Sequence, residues 1–590
     1  MFNTHLSVPL VTLAAVATIT LMLACTPSQN NEQTSSSGPP AVLETKNELT
    51  ENEQDARLRI DTVKKSTARE MVHNKSASRA AAAVSLNEDA AMPSVTAYGS
   101  ASSLLQPGAP AEPVNRENYA HFDDNSVKLV AEAPVSTFSI DVDTGAYSNV
   151  RRMLHNGQLP VEDAVRVEEL INYFSYDYPL PKNSRERFAV TTEIGVTPWN
   201  PATHILHIGI KGYDKPGESL PASNLVFLVD VSGSMNSADK LGLLKSSLKL
   251  LSKQMRSEDS ISIVVYAGAS GVVLEPVAGN ETAKISQALD ELSAGGRTNG
   301  AAGIRTAYQL AEQSFIKDGI NRVILATDGD FNVGTVNFEA LKDLVEEKRK
   351  SGISLTTLGF GTGNYNDHLM EQLADAGNGN YAYIDTLNEA QKVLVDEISS
   401  TLNTIAKDVK IQLEFNPAVV AEYRLIGYEN RALKRDDFNN DKVDAGEIGA
   451  GHTVTALYEI SMVDSNSSYI DPLRYSRITA TDTHHKDEIA LLRLRYKQPD
   501  SNTSELIERQ LKTADIVNTL EKTSERFRFS ASVAAFGQLL RGGKYTDNYQ
   551  YDDVLELARD ARGHDAFGYR GEFIALVNLA KSLQTTHVKG

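Results

Sequence analysis

Leu225-Val226-Phe227-Leu228-Val229-Asp230-Val231-Ser232-Gly233-Ser234-Met235 decides how the rest of the chain is read. The unbroken apolar run before Asp230 predicts a strand buried on both faces. A helical pattern begins near Asp239. Asp230, Ser232 and Ser234 are therefore expected on the turn at the carboxyl end of a strand, where open α/β sheets bind ligands. One carboxylate and two hydroxyls at alternate positions form an all-oxygen set suited to a small hard cation.

Two later segments extend that set. Gly295-Gly296-Arg297-Thr298-Asn299-Gly300 reads as a flexible loop that presents one hydroxyl ahead of a helix. Val323-Ile324-Leu325-Ala326-Thr327-Asp328-Gly329-Asp330 reads as a second apolar strand ending in a carboxylate. If Asp230 and the serines were only helix caps, Thr298 and Asp328 would have no place in the pattern. Asp230, Ser232, Ser234, Thr298 and Asp328 together resemble the metal-ion-dependent adhesion site of von Willebrand factor type A domains. The resemblance implies bound Mg²⁺, with Mn²⁺ or Ca²⁺ as substitutes, and some of these side chains acting through water. It also implies one coordination position left open to an Asp or Glu of a protein partner.

Outward from this core, residues 262–266, 355–360 and 381–384 read as further strands, separated by helical patterns such as Glu339 to Lys350. Strands alternating with helices predict a mostly parallel, Rossmann-like α/β domain over 222–405. The flanks read differently. Residues 188–194 and 204–210 precede it, and 409–415, 421–427, 453–462 and 488–496 follow, all as antiparallel strands. In 409–415, Val409, Ile411, Leu413 and Phe415 alternate with Lys410, Gln412 and Glu414, the pattern of a half-exposed strand. The α/β domain is thus expected as an insertion in a β-sandwich built from 185–221 and 406–498. Residues 116–184 are expected as an N-terminal α/β segment, with one strand near Phe138 and two helices. Residues 499–590 are expected as a small helical region. There Phe529, Val533, Phe536 and Leu540 form a stripe stopped by Gly542-Gly543, Asp552 caps the next helix, and Phe573, Leu576, Val577 and Ala580 stripe the last. Trp199 is read as a core or corner anchor.

A chain of 590 residues implies several domains. Its net charge of −19 argues against a nucleic-acid partner, because phosphates would be repelled. No zinc spacing, P-loop or dinucleotide fingerprint is present. The single cysteine, Cys25, ends residues 8–24, a stretch too short for a comfortable membrane span and suited to a signal-peptide core. Leu21-Met22-Leu23-Ala24-Cys25 resembles a bacterial lipobox, which implies a signal peptide over 1–25 and acylation of Cys25, with stable anchoring by several acyl chains. By resemblance to enterobacterial sorting, Thr26 favours the outer membrane. Residues 26–115, rich in Ser, Ala, Glu, Asn and Pro, read as a disordered tether. As a coil these ~90 residues would span about 50 Å.

Val135-Ser136-Thr137-Phe138-Ser139-Ile140-Asp141-Val142-Asp143-Thr144, Asn172-Tyr173-Phe174, Asn416-Pro417-Ala418, Arg424-Leu425-Ile426-Gly427-Tyr428 and Ala534-Ala535-Phe536-Gly537 complete the layout. It resembles the YfbK-type von Willebrand A lipoproteins over roughly 116–585. That resemblance bears on architecture more than on function.

Three motifs compete for attention. Asp141-Val142-Asp143-Thr144 imitates the nucleophile of haloacid-dehalogenase-type phosphatases. The further parallel strands such an enzyme needs do not follow, so these aspartates are read as holding the N-terminus of a helix near Ala146. Asp437-Phe438-Asn439-Asn440-Asp441 imitates an EF-hand opening, but Lys442 and Ile448 occupy its sixth and twelfth positions, so it is read as a polar turn. His484-His485 read as a solvated turn. The expected function is that of a cell-envelope lipoprotein, not an enzyme, that binds a protein partner through a Mg²⁺ bridge in adhesion or assembly. A metal-dependent hydrolase is the first alternative, with Asp330 as the nearby candidate base. A structural envelope protein with a stabilising metal is the second.

Overall fold

The computed structural model describes residues 116–587 except 141, 184–185, 215–219, 297–298, 330–337, 466 and 472–484. Cys25 and the expected signal peptide and tether lie outside the described residues, as do Asp141, Thr298, Asp330 and His484.

The described chain opens with β1 (Lys128–Leu129), β2 (Val135–Ser139), α1 (Gly145–His155) and α2 (Val167–Asn172). β3 (Phe188–Val196) and β4 (His204–Gly212) follow. An alternating stretch comes next: β5 (Ser223–Asp230), α3 (Leu243–Ser252), β6 (Ser260–Tyr266), β7 (Ser270–Ala278), α4 (Thr282–Glu291) and α5 (Gly300–Gln313). It continues with β8 (Ile320–Thr327), α6 (Phe338–Lys350), β9 (Ile353–Phe360), α7 (Asp367–Ala376), β10 (Tyr381–Ile384), α8 (Leu387–Gln391) and α9 (Ile398–Leu402). Strands return as β11 (Thr404–Phe415), β12 (Val420–Ile426), β13 (Ile448–Gly449), β14 (Thr453–Met462), β15 (Glu488–Lys497), β16 (Ser504–Lys512) and β17 (Ile516–Val517). Helices α10 (Glu525–Leu540), α11 (Tyr551–Asp560) and α12 (Tyr569–His587) close the described chain.

The alternating stretch folds into one sheet in the order β10-β9-β8-β5-β6-β7. Its strands are parallel except β7, which runs antiparallel along an edge. Every residue of β5 is buried, as expected for a strand covered by helices on both faces. Leu225, Phe227 and Val229 pack with Leu244, Leu248 and Ile285 on one side. Val226 and Leu228 pack with Ile304, Ala307 and Leu373 on the other. β7 was not anticipated: its residues are half-buried or exposed, so no apolar run announces it.

The remaining strands form two sheets, β1-β12-β14-β4-β3-β17 and β13-β11-β15-β16, with β2 also paired to β11. Their inner faces share one core, including Ile208, Ile210, Ile411, Leu413, Tyr458 and Ile489. Strands from before and after the α/β stretch lie side by side, as β4 and β14 do. The α/β unit is therefore inserted in a sandwich.

The sandwich reaches further than the sequence suggested at both ends. β2, expected in a separate N-terminal α/β segment, pairs antiparallel with β11 through Phe138 and Ile411. β16, expected to be helical, pairs with β15 from Leu506 to Leu511. Most of its side chains are exposed or half-buried, which hides the strand period. The helices of both ends instead share a second core, joining Tyr147 and Val150 to Leu170, Phe529, Phe536 and Phe573.

β11 is not half-exposed either. Lys410 and Gln412 are buried. Lys410 Nζ donates to the carbonyls of Asp437 (3.1 Å) and Asn440 (2.7 Å), so the EF-hand-like segment covers the outer face of this strand. Its carboxylates have protein partners: Asp437 accepts the Lys434 amide and Asp441 pairs with Arg495 at 2.9 Å. The cap position of α1 is Thr144 rather than Asp143. Asp143 accepts the Tyr381 amide at 2.8 Å, while the Ala146 amide donates to Glu169 at 2.7 Å. α11 is capped by Gln550 with Asp553 rather than by Asp552. Trp199 is buried and donates its indole N–H to Glu459 at 3.3 Å. Gly542 and Gly543 end α10 with φ of 92° and 70°, conformations that glycine adopts without cost.

Candidate metal centre

β5 pairs with β6 on one side and β8 on the other. The chain leaves β5 toward β6 and leaves β8 toward β9, so these two connections diverge and open a crevice at the carboxyl ends of the strands. Asp230 is the last residue of β5, and Asp328 follows the last residue of β8. Both are fully buried. Asp230 was expected on a surface turn. It lies instead beneath that turn, whose Gly233 is exposed and whose Ser234 is half-buried.

The turn and the glycine loop are laced together. The Gly295 amide donates to the Val231 carbonyl at 2.8 Å, and the Gly233 amide donates to the Gly296 carbonyl at 3.1 Å. The loop leading to Thr298 therefore starts on the turn that carries Ser232 and Ser234. Thr298 itself lies outside the described residues.

Asp230 is held by three donors. Its Oδ1 accepts the Ser232 amide at 2.8 Å, and its Oδ2 accepts the hydroxyls of Thr327 (2.9 Å) and Tyr266 (3.1 Å). The hydroxyls of Ser232 and Ser234 lie 2.9 Å apart. Asp328 Oδ2 accepts from Lys240 Nζ at 2.9 Å and from the Asn364 amide at 3.2 Å. Lys240 also donates to Asn364 Oδ1 at 2.9 Å. Burial pushes the Asp230 pKa up to about 6, and the charge of Asp328 adds to the shift. Two glycines make this crowding possible. Gly361 (φ 76°) leaves room for the Lys240 stem, and Gly329 (φ 81°) abuts the Asn366 amide.

The donor chemistry fits a divalent cation. Among the described residues no three His, Cys, Asp or Glu side chains gather as ligands. The set here is two carboxylates plus hydroxyls, all oxygen, as Mg²⁺ favours. The ammonium of Lys240 rests on one of the two carboxylates, Asp328. Asp230, Ser232, Ser234 and Asp328 would hold the ion.

Comparison with known proteins bears on the family and the fold. Residues 224–397 match the family described as von Willebrand factor type A domain. Residues 113–207 match the family described as von Willebrand factor, and residues 400–583 match "Uncharacterized protein YfbK, C-terminal". The chain is 50% identical over 469 residues to "Uncharacterized protein YfbK" of Escherichia coli strain K12, covering 78% of this chain and 80% of that protein. The chain belongs to the YfbK family. Human inter-alpha-trypsin inhibitor heavy chain H3 is 23% identical over 257 residues, which span 40% of this chain and 28% of that protein. Among solved structures, a von Willebrand factor type A protein from Catenulispora acidiphila aligns with a TM-score of 0.37 and 13% identity, covering 66% of this chain and 89% of that one.

Four residues of this YfbK-family site were not anticipated from sequence: Tyr266, Thr327, Lys240 and Asn364. Tyr266 is the register partner of Asp230 across β5 and β6, a relation visible only once the strands are paired. Thr327 stands beside Asp328 in sequence but turns its hydroxyl to Asp230. Of the phosphatase-like aspartates only Asp143 is among the described residues, and β2, just before this motif, belongs to the antiparallel sandwich.

Proposed function

We propose that this YfbK-family chain is a cell-envelope lipoprotein, anchored in the outer membrane through Cys25. It binds a protein partner through a divalent cation, Mg²⁺ in the first instance, shared with an Asp or Glu of that partner. The observation that carries this reading is the meeting of Asp230 and Asp328, both buried, with Ser232 and Ser234 at a sheet switch point. When bound, the cation would supply positive charge toward a partner carboxylate. The protein's own residues do the positioning: Tyr266 and Thr327 fix Asp230, and Lys240 and Asn364 fix Asp328.

Binding is favoured over hydrolysis by how these groups are engaged. The two serine hydroxyls face each other, and Lys240 is committed to Asp328 and Asn364. No nucleophile–base pair results from these contacts. The test is capture of envelope proteins by the full chain with Mg²⁺ or with EDTA, alongside a hydrolase screen. Capture should need Mg²⁺ and fall sharply in Thr298→Ala, which keeps both carboxylates. Equal capture in EDTA would remove the metal bridge. Turnover with Mg²⁺ or Mn²⁺ that disappears in Asp328→Asn would promote the hydrolase.

The anchor has its own test. Cys25→Ser should shift the chain from the membrane pellet to the soluble or unprocessed fraction, because acyl chains supply the membrane affinity. Mature, membrane-bound protein persisting in that variant would rule out lipidation.

A further inference from the structure

At the far end of the α/β sheet from the metal centre, a cleft of about 450 Å³ opens where the inserted unit meets the sandwich. The start of β8 and the loops around α5 and α6 form one wall, and the start of β11 with residues 499–500 forms the other. Arg322 lines it and is 2% exposed. Its Nη1 donates to the Thr356 hydroxyl (2.6 Å) and the Asn380 side-chain carbonyl (3.5 Å), both neutral, and its Nε has no partner.

That is unusual for a buried guanidinium, because buried charges are normally paired. Among the described residues three other arginines, Arg151, Arg166 and Arg424, are comparably buried and each contacts a carboxylate. Glu447 also lines the cleft but acts on Arg322 only at Coulombic range. Its carboxyl is directed to Asn378, and burial pushes its pKa up to about 7. Three more cations line the walls. Arg187 donates to Gln498 and Lys407 to the Pro499 carbonyl, both neutral acceptors, and Arg349 pairs with Asp444. Asp318 and Asp500 also line the cleft but are exposed, where solvent ions screen them. Beside these charges lie apolar surfaces: Phe315, 44% exposed, and the buried Ile405.

We infer that this cleft binds a small molecule with an oxyanion head, carboxylate or phosphate, seated against Arg322, and an apolar body against Phe315 and Ile405. A guanidinium suits either head, since its planar array of donors matches both geometries. The cleft volume falls in the range of small-molecule sites, ~300–1,000 Å³. The bound head would supply the counter-charge that Arg322 lacks, and the molecule would touch both the insertion and the sandwich.

The test is isothermal titration of the full chain in EDTA, which separates this cleft from the metal centre. The probes are phenyl phosphate, benzoate, inorganic phosphate and the neutral benzamide. Wild type should bind phenyl phosphate or benzoate saturably and bind benzamide at least 10-fold more weakly. The tighter of the two aromatic anions identifies the head. Arg322→Gln should weaken the anion at least 10-fold with circular dichroism unchanged. Should that variant fail to fold, Arg187→Gln combined with Lys407→Gln should weaken binding several-fold, since both side chains are half-buried and hydrogen-bonded to neutral groups. No saturable binding of either aromatic anion would overturn the inference. So would equal affinity in a folded Arg322→Gln protein or unchanged affinity in the double variant. Inorganic phosphate binding as tightly as phenyl phosphate would overturn the apolar body.

Discussion

Asp230→Asn should lose Mg²⁺ binding by on the order of 100-fold or more, while the protein remains folded. Groups that merely orient metal ligands cost ~10–100-fold when removed, and Asp230 is placed to be a ligand itself. The asparagine is chosen because Asp230 is buried rather than exposed. Alanine would strand the hydroxyls of Tyr266 and Thr327, both of which now donate to Asp230 Oδ2. Each unsatisfied buried group costs about 1–3 kcal/mol, so lost binding in that variant could not be separated from a damaged site. The asparagine oxygen can still accept both hydroxyls. Its amide would meet the Ser232 amide as donor against donor, at a cost of about 1 kcal/mol. Relief of the repulsion from Asp328 offsets part of that cost. Titration calorimetry with Mg²⁺, paired with thermal melts, makes the measurement. Unchanged affinity in a folded variant would place the ion elsewhere.

What the sequence made legible follows from what each element buries. β5 and β8 are covered on both faces, so their uninterrupted apolar runs announce a parallel sheet. β7 and β16 cover little, and their mixed patterns do not separate a strand from a loop or a helix. Lys410 misled for a different reason: a long cationic side chain can bury its stem and still satisfy its head, here on two backbone carbonyls. At the site, alternate spacing brings Ser232 and Ser234 together on one turn, and strand order brings Asp328 to Asp230. The partners that hold those carboxylates arrive from β6, from the segment before α3 and from the loop after β9. Only the paired sheet puts them in reach, so no local pattern could have named Lys240 or Asn364. Arg322 was equally invisible, since one arginine in an apolar strand gives no hint that its counter-charge is missing.

Arg166→Met should cost about 3–5 kcal/mol, the usual penalty for removing one partner of a buried ion pair. Arg166 is 3% exposed at the start of α2, among three carboxylates. It contacts Glu169 on its own helix, and Asp367 (2.5 Å) and Glu371 (3.6 Å) on α7 of the inserted unit. Burial pushes the Glu371 pKa up to about 8, so near neutral pH that group is largely protonated. Methionine fills much of the same space but removes the guanidinium that Glu169 and Asp367 now share. Two consequences follow from that mechanism and not from a simple packing loss. The first is a pH dependence. Buried carboxylates that lose a counter-charge take up protons more readily in the folded state than in the unfolded state, so the variant should recover stability as pH falls and lose it as pH rises. The gap between wild type and variant should therefore narrow as pH falls. The second concerns cooperativity. Because α2 precedes the insertion and α7 lies within it, the variant should loosen the docking of the α/β unit, and denaturant unfolding should depart from a single transition. Arg166→Lys should restore only part of the loss, because one ammonium cannot span α2 and α7 as a guanidinium does. A loss below about 1 kcal/mol that does not change with pH would show that the cluster contributes little to holding the insertion in place.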